Sequence, residues 1–280
     1  MINGFAITQQ GRSHSIRQVA CQDFSAVKQI ESHGKTFSVA IIADGVGSCK
    51  LSGEGAKIAV TEAMKQLEKF IKRTRKLEEP GAIRNLKKAF NHAANSVNKH
   101  AEKTKQDPDQ FSTTLTAALY DGKQLFFGHC GDGGIVGLNG RGEISAVTEQ
   151  IRAPLNIIMP LQKGKDFWDF GSAKDIVAFA LMTDGVLDAN VRSEAYDNRI
   201  YVPFFNKCFF DPSADVKMKE HLSNQDFKKD VSDDITLVCV ANQAVRNIKP
   251  PVFDEQAWRV EGEQVKIAKI SEKILKGFYK

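Results

Sequence analysis

Aspartates stand at the ends of several strand-like runs in this chain, where a folded sheet can bring distant carboxylates together. They are Asp23, Asp44, Asp132, Asp184, Asp233 and Asp234. Each directly precedes or closely follows a stretch of β-forming residues. Carboxylates gathered at one edge of a sheet would repel one another and raise each other's pKa unless cations neutralised them. The pattern therefore predicts a cation site.

Oxygen ligands favour hard divalent ions, here Mg²⁺ or Mn²⁺, and the sequence has no Cys or His cluster that would favour zinc. Two such ions about 3.5–4 Å apart can activate a water for displacement at phosphorus. Gly45 has no Cβ, so its backbone can come close and its carbonyl could be a further ligand. Taken alone, Asp44-Gly45 or Asp184-Gly185 would indicate a hairpin turn. Their recurrence favours the metal interpretation.

Eight runs of β-forming residues predict the strands that would position these aspartates. The runs are 5–8, 24–30, 36–43, 112–120, 124–129, 134–138, 176–182 and 235–240. Turn-forming residues at 32–34, 121–122 and 139–140 separate neighbouring runs and predict tight antiparallel connections. Parallel pairs remain possible at this point.

Two long helical patterns, 54–75 and 81–105, lie between the strands, and the Glu-Glu-Pro-Gly stretch at 78–81 marks the break between them. Each has an apolar stripe at helical spacing, which predicts an antiparallel helix pair packed on the core. Strands, a helix pair and further strands together predict an α+β layered fold.

A domain boundary is predicted shortly before Pro250-Pro251, with a first domain at 1–245 and a basic tail at 246–280. In the tail, apolar residues repeat at helical spacing, and lysines occupy the rest of the helix circumference. The tail is therefore predicted to contain an amphipathic helix.

Composition and charge exclude several classes of protein. No segment approaches the roughly 20 apolar residues of a membrane span, and no leader pattern begins the chain, so a cytoplasmic protein without a membrane span is expected. Five widely spaced cysteines argue against a disulfide framework. The net charge of +5 lies largely on predicted helices and the tail without interleaved aromatic residues, so no nucleic-acid partner is expected.

Six short motifs in order along the chain resemble those of the type 2C metal-dependent serine/threonine protein phosphatases. They are Cys-Gln-Asp (21–23), Ala-Asp-Gly-Val-Gly-Ser (43–48), Phe-Ser-Thr-Thr-Leu (111–115), Cys-Gly-Asp-Gly (130–133), Met-Thr-Asp-Gly-Val (182–186) and Asp-Asp-Ile-Thr (233–236). The stretch Gly11 to His14 is similar to a bacterial branch of that family. The resemblance implies a four-layer sandwich of two antiparallel β-sheets flanked by antiparallel helix pairs.

The resemblance also implies roles for the aspartates in a site with two core Mn²⁺ or Mg²⁺ ions. Asp44 would bridge the ions, Gly45 would offer its carbonyl to one, and Asp184 and Asp233 would complete the other. Asp132 would help to hold a third, weaker ion, and Asp23 would support the metal waters.

The sequence departs from the family pattern at three positions. Gln22 stands where some relatives carry glutamate, and Asp234 stands where asparagine is frequent. Val46 replaces a histidine that eukaryotic relatives carry. The segment 148–172 corresponds to a variable flap beside the active site.

The implied activity is hydrolysis of phosphoserine and phosphothreonine in a phosphoprotein that is the target of a serine/threonine kinase, without a phosphoenzyme intermediate. Family members place a phosphate-binding arginine shortly before the motif that contains Asp23. Arg17 is the first candidate for this role, and Arg12 and His14 are the others. An arginine exposed on an edge strand, without a role in binding, is the alternative for Arg17.

Two other functions compete with this interpretation. A catalytically inactive phosphatase-like module could bind phosphoproteins or regulatory partners, since a fold alone does not establish an activity. The presence of all the ligand-type aspartates disfavours it. A metal-dependent nuclease would use the same two-ion chemistry, but the chain lacks an obvious basic and aromatic track for a nucleic-acid strand.

Overall fold

The computed structural model describes residues 1–148, 158–194, 197–200, 213–224, 227–228 and 231–245. Contacts between residues divide the chain into two units, Met1–Pro250 and Pro251–Lys280, and the described residues all belong to the first. The predicted tail, 246–280, and residues 149–157 of the predicted flap lie outside the described residues. Their boundaries and roles stay predictions.

Twelve strands are described, and they form two five-stranded sheets and one two-stranded sheet. In chain order the strands are β1 (Ile2–Gln9), β2 (Phe24–Ser32), β3 (Lys35–Ala43), β4 (Leu115–Tyr120), β5 (Leu125–Cys130), β6 (Gly134–Asn139), β7 (Ile144–Ala146), β8 (Asp169–Ala173), β9 (Ile176–Met182), β10 (Val191–Glu194), β11 (Asp197–Ile200) and β12 (Ile235–Asn242). The strand orders are β1-β12-β9-β6-β7 and β2-β3-β4-β5-β8, with β10 and β11 paired separately. Every pairing among these strands is antiparallel.

Five α-helices are described: α1 (Arg12–Arg17), α2 (Ser52–Ile71), α3 (Glu79–Thr104), α4 (Asp184–Asn190) and α5 (Ala214–Ser223). Two short 3-10 helices, Pro108–Phe111 and Lys165–Phe167, complete the described elements. The two long ones, α2 and α3, pack against each other and against the sheet that contains β3. On the other sheet, α4 and α5 contribute to an apolar cluster with β9 and β12. None of the described helices is long and apolar enough to cross a bilayer.

Side chains on β3 show how the strands build these layers, because successive residues point to opposite faces. Val39 and Ile41 face the α2 and α3 helices, whereas Ala40 and Ile42 face the second sheet. The same alternation recurs on β12, where Leu237 faces the helix layer. The predicted α+β sandwich of two antiparallel sheets is therefore confirmed, and each sheet buries both faces.

The turn at 32–34 illustrates how closely local sequence determines the register. His33 and Gly34 have φ of 49° and 74°, the left-handed conformations of a tight hairpin, and Ser32 pairs with Lys35. From this turn the pairing runs without a bulge to Phe24 and Ala43. The hairpin therefore fixes where β2 begins and β3 ends, which is where Asp23 and Asp44 stand.

Candidate metal centre

The backbone of Asp44 is held at the end of β3 by two threonines from the 111–115 motif. Thr114 donates from its N–H to the Asp44 carbonyl at 2.8 Å, and Asp44 N–H donates to Thr114 Oγ1 at 2.9 Å. Thr113 Oγ1 donates to the same carbonyl at 2.8 Å. No role was predicted for these threonines, although their place directly before a strand was a usable signal. They fix the direction in which Asp44 leaves the sheet.

Three of the predicted ligands come together at one sheet edge. Asp44 follows β3, Asp132 follows β5, and Asp184 begins α4 directly after β9 and Thr183. One carboxylate oxygen from each lies within 4.8 Å of the others. Asp132 is almost fully buried, and the other two are partly buried. The strand-end pattern in the sequence therefore does reflect a cluster in space.

Burial and like charge make this cluster unfavourable for the protein alone. Burial raises the pKa of Asp44 well above its ordinary value, and nearby carboxylates raise it further. Those carboxylates are Asp23, Asp184, Asp233 and Asp132, in decreasing order of effect. A bound cation would relieve the repulsion, and a set of carboxylate oxygens suits a hard divalent ion. The residues present therefore fit Mg²⁺ or Mn²⁺.

Asp23 lies behind the cluster and is held by Thr183. Thr183 Oγ1 donates to Asp23 Oδ2 at 3.0 Å and accepts from the Thr236 N–H at 3.1 Å. Burial raises the pKa of Asp23 to about 7, and the charge of Asp234 contributes. The threonine before Asp184 thus links two motifs that are far apart in sequence, a role that the sequence analysis missed.

Asp233 is placed differently from the other three predicted ligands. Its ligand atom groups with those of His14 and Asp234, all within 4.8 Å of one another. Its Oδ1 accepts from the Asp234 N–H at 2.8 Å. It is still near enough to the main cluster to raise the pKa of Asp44. The structure therefore brings Asp233 to the same region, but not into the three-carboxylate group.

Asp234 is buried and is saturated by groups of the protein itself. Its Oδ1 accepts from the Gly11 N–H at 2.6 Å and its Oδ2 from the Gln22 N–H at 2.6 Å. His14 Nδ1 lies 2.8 Å from Oδ2, and the His14 ring is buried. We call Asp234, with Gly11, His14 and Gln22, the clasp. It fastens the N-terminal segment to the loop before β12.

Two glycines permit the close approaches at these points. A Cβ on Gly11 would lie 2.2 Å from the Asp233 carbonyl, so no larger residue fits there. A Cβ on Gly45 would lie 2.7 Å from the backbone of Ser52 and 2.9 Å from the Gln22 carbonyl. The Gly45 N–H donates to that carbonyl at 3.2 Å. The close approach expected at Gly45 is thus present, and its role as a carbonyl ligand stays a prediction.

The three candidates for phosphate binding all lie on α1, a short helix that the sequence analysis did not foresee. Arg12 and Arg17 are exposed. The Arg17 guanidinium donates to the carbonyl and hydroxyl oxygens of Ser13, at 3.3 and 3.2 Å. His14 faces inward to the clasp. Arg17 is thus on a helix and not on an edge strand.

The described cysteines, Cys21, Cys49, Cys130 and Cys239, are free thiols. Burial raises the pKa of Cys21 and of Cys130 to about 12. Both are therefore protonated near neutral pH, and neither is a reactive thiolate. Cys208 lies outside the described residues.

Comparisons with solved structures show the same fold in bacterial phosphatases. A bacterial serine phosphatase superposes with a TM-score of 0.64 at 14% identity, over 90% of this chain and 100% of that one. The Mycobacterium tuberculosis serine/threonine phosphatase PstP/Ppp gives 0.60 at 17% identity, over 86% and 98%. A PstP catalytic domain in complex with two manganese ions gives 0.60 at 15% identity, over 86% and 97%. At these identities the likeness shows the fold.

The family comparison is the more specific finding. No sequence among the curated proteins matches the chain. The family model described as protein phosphatase 2C matches residues 10–225, which contain five of the six motifs in full. The resemblance drawn from those motifs is therefore confirmed, and the chain belongs to the protein phosphatase 2C family.

Proposed function

We propose that this protein hydrolyses phosphoserine and phosphothreonine esters in proteins, with Mn²⁺ or Mg²⁺ as its cofactor. The observation that carries the proposal is the group formed by Asp44, Asp132 and Asp184. Three carboxylates within 4.8 Å, one with a strongly raised pKa, are costly for the protein unless a cation binds. A module that only binds partners would have no need to retain such a group.

The residues would share the work in the following way. Asp44, Asp132 and Asp184 would hold divalent ions, with Asp233 and the Gly45 carbonyl as further ligands. Bound ions of this kind lower the pKa of a water molecule and stabilise charge on phosphoryl oxygens. Asp23, held by Thr183, would accept hydrogen bonds from waters at the site. The two manganese ions of the PstP catalytic domain support a two-ion site, and a third, weaker ion remains part of the proposal.

Recognition of the phosphate is assigned to Arg17, since a guanidinium can grip the peripheral oxygens of a phosphate bidentately. Arg17 is exposed, and its bonds to Ser13 lie within its own helix, so the side chain can be redirected without loss of the core. We assign His14 to the clasp and not to phosphate, because it is 2% exposed and 2.8 Å from Asp234. Arg12 remains an exposed cation on the same helix.

The direct test is phosphate release from a phosphothreonine peptide with Mn²⁺, with Mg²⁺ and with chelator. We expect release with either ion, none with chelator, and recovery when the ion is restored. Asp44→Asn is the matched inactive control, since it alters one ligand and keeps the side-chain shape. A wild-type protein that binds Mn²⁺ and the peptide but releases no phosphate would establish the inactive binding module instead.

A further inference from the structure

A pocket of about 630 Å³ opens between the end of β1, helix α1 and helix α5. We call it the α1–α5 pocket. Its lining residues include Gln9, Arg12, Ile16, Lys219, Ser223 and Lys228. Nothing in the proposed chemistry uses it, although it shares Gly11 with the clasp.

The charges among the described residues of this pocket have a single sign. Arg12, Lys219 and Lys228 contribute three cations, and no carboxylate lies among the described lining residues. Across the part of the chain that the structure describes, none of the three forms an ion pair. Cations gathered on one concave surface create a positive potential that attracts anions. The pocket is therefore suited to an anionic ligand.

The pocket is held in shape by a contact between β1 and α5. The Gln9 side-chain amide donates to Ser223 Oγ at 2.7 Å and to the Lys219 carbonyl at 3.4 Å. Ile16 presents an apolar surface on the other wall, with 71% of its area exposed. Basic groups around one exposed apolar side chain suit a peptide better than a small inorganic anion, which would have no use for Ile16.

The pocket is also joined to the metal centre through the backbone. Gly11 N–H donates to Asp234 Oδ1, and the Ser13 N–H donates to the Ser232 carbonyl at 2.8 Å. The loop 232–234 carries the proposed ligand Asp233. A peptide with its phosphorylated residue at the metal centre would therefore lie within reach of the pocket.

We propose that the α1–α5 pocket binds an acidic segment of the phosphoprotein substrate, close in sequence to the phosphorylated residue. The proposal rests on the proposed phosphatase function and names the substrate class. The lysine-rich part of the chain's own tail does not fit the pocket, because Lys266, Lys269, Lys273 and Lys276 give that part the same sign of charge. Complementary charge across such a surface governs selectivity and association rate.

The test uses two phosphothreonine peptides of equal length, one with aspartate and glutamate on both flanks and one with serine and asparagine. At low salt we expect kcat/KM to be roughly tenfold higher for the acidic peptide than for the neutral one. Two or three exposed charge pairs between peptide and pocket would produce a difference of that size. The advantage should shrink at high salt because exposed charges are screened. Equal kcat/KM values for the two peptides would overturn the proposal.

The full-length variant Lys219→Glu/Lys228→Glu should lose that advantage while hydrolysis of a small aryl phosphate is unchanged. The matched control is Lys69→Glu/Lys88→Glu, which makes the same charge change at exposed positions on α2 and α3. If both double variants lose the advantage equally, net charge and not the pocket is responsible, and the proposal is wrong. Retention of the advantage in the pocket variant would also overturn it.

A binding measurement separates this proposal from the proposed activity. Fluorescence anisotropy of labelled acidic and neutral peptides, with chelator present, measures peptide binding at the pocket without any catalytic turnover. Preferential binding of the acidic peptide, lost in Lys219→Glu/Lys228→Glu, would support the pocket even if no phosphate is ever released. Displacement of the acidic peptide by single-stranded DNA at lower concentration than by unlabelled peptide would instead indicate a nucleic-acid site and overturn the proposal.

Discussion

Asp44 and Asp234 are both buried or partly buried carboxylates near one sheet edge, but their electrostatic surroundings are opposite. Asp234 accepts two short hydrogen bonds from backbone N–H groups and lies beside His14. Asp44 faces other carboxylates, and its pKa is raised well above the ordinary value. The charge of Asp234 is therefore stabilised by hydrogen-bond donors of the protein, whereas the charge of Asp44 is not.

The difference shows which aspartates the fold needs and which the chemistry needs. A carboxylate that receives N–H donors is stabilised as an anion without any ligand. A carboxylate surrounded by like charge stores unfavourable free energy that a cation can release on binding. Asp233 and Asp234 are neighbours in sequence, yet we place only Asp233 among the ligands. Substitutions of these aspartates test that division.

Replacing Asp44 by Asn should have the largest effect. We expect kcat/KM for phosphopeptide hydrolysis to fall by more than about 100-fold. A loss of that size exceeds the one expected when a residue that only hydrogen-bonds to a metal ligand is replaced. The metal-free variant should be more stable than wild type, on the order of 1 kcal/mol, because a repelling charge is removed. Steady-state kinetics with Mn²⁺ and urea unfolding with chelator measure the two effects. A mild loss of activity would remove Asp44 from the ligand set.

Replacing Asp234 by Asn should instead destabilise the fold. The amide can accept from only one of the Gly11 and Gln22 N–H groups, so the other is left buried without its partner. We expect the free energy of unfolding to fall by about 2–4 kcal/mol. Asp233→Asn is the matched control, and it should cost less stability but more Mn²⁺ affinity. Equal unfolding free energies for the two variants would show that the clasp is not a stabilising unit.

The sequence predicted the main sheets well because their strands alternate and their turns carry strong signals. His33-Gly34 determines the β2–β3 register, and the β9 run from Ile176 to Met182 was located to the residue. Helix α1 was missed since six residues are too few to show a period. The five residues of β8 also gave no usable alternation.

The sequence predicted the candidate site only where short local motifs contain its residues. Strand-end aspartates pointed to the group of Asp44, Asp132 and Asp184. Asp44 and Asp132 meet because β3 and β5 are both antiparallel to β4, which lies between them, and so end at the same edge. No local pattern could reveal that Asp234 accepts from Gly11, since more than two hundred residues separate them. The division between Asp233 and Asp234 depends on such long-range donors.

The pH dependence of stability should differ with and without metal. Burial raises the folded-state pKa of Asp23 from 3.8 to about 7 and that of Asp44 in the same direction. Between these values the folded state binds more protons than the unfolded chain, so the metal-free protein should lose stability as pH rises from about 4 to about 7. Mn²⁺ competes with those protons, and its stabilising effect should therefore grow over the same window.

Thermal unfolding at several pH values, with chelator and with Mn²⁺, measures this dependence. Asp44→Asn serves as the reference, since exposed ion pairs elsewhere titrate equally in both proteins. The wild-type minus variant difference should become more unfavourable with rising pH in chelator. A difference that is independent of pH would mean that Asp44 is not strained by its neighbours.

The smallest expected effect concerns Cys21, because the pKa of its thiol depends in part on the charge of Asp234 in the clasp. Burial is the main cause that raises its pKa to about 12, and the charges of Asp234 and Asp23 follow. Asp234→Asn removes one of these charges, so the Cys21 thiolate should form more readily and alkylation by iodoacetamide should be roughly threefold faster at mildly alkaline pH.

Cys130 provides an internal control, because burial alone raises its pKa to about 12. Mass spectrometry of the two cysteine peptides follows both rates in one sample. Faster modification of Cys21 alone would show that the charge of Asp234 acts on this thiol, whereas equal acceleration at both cysteines would mean that the variant has opened the fold and that the charge argument fails.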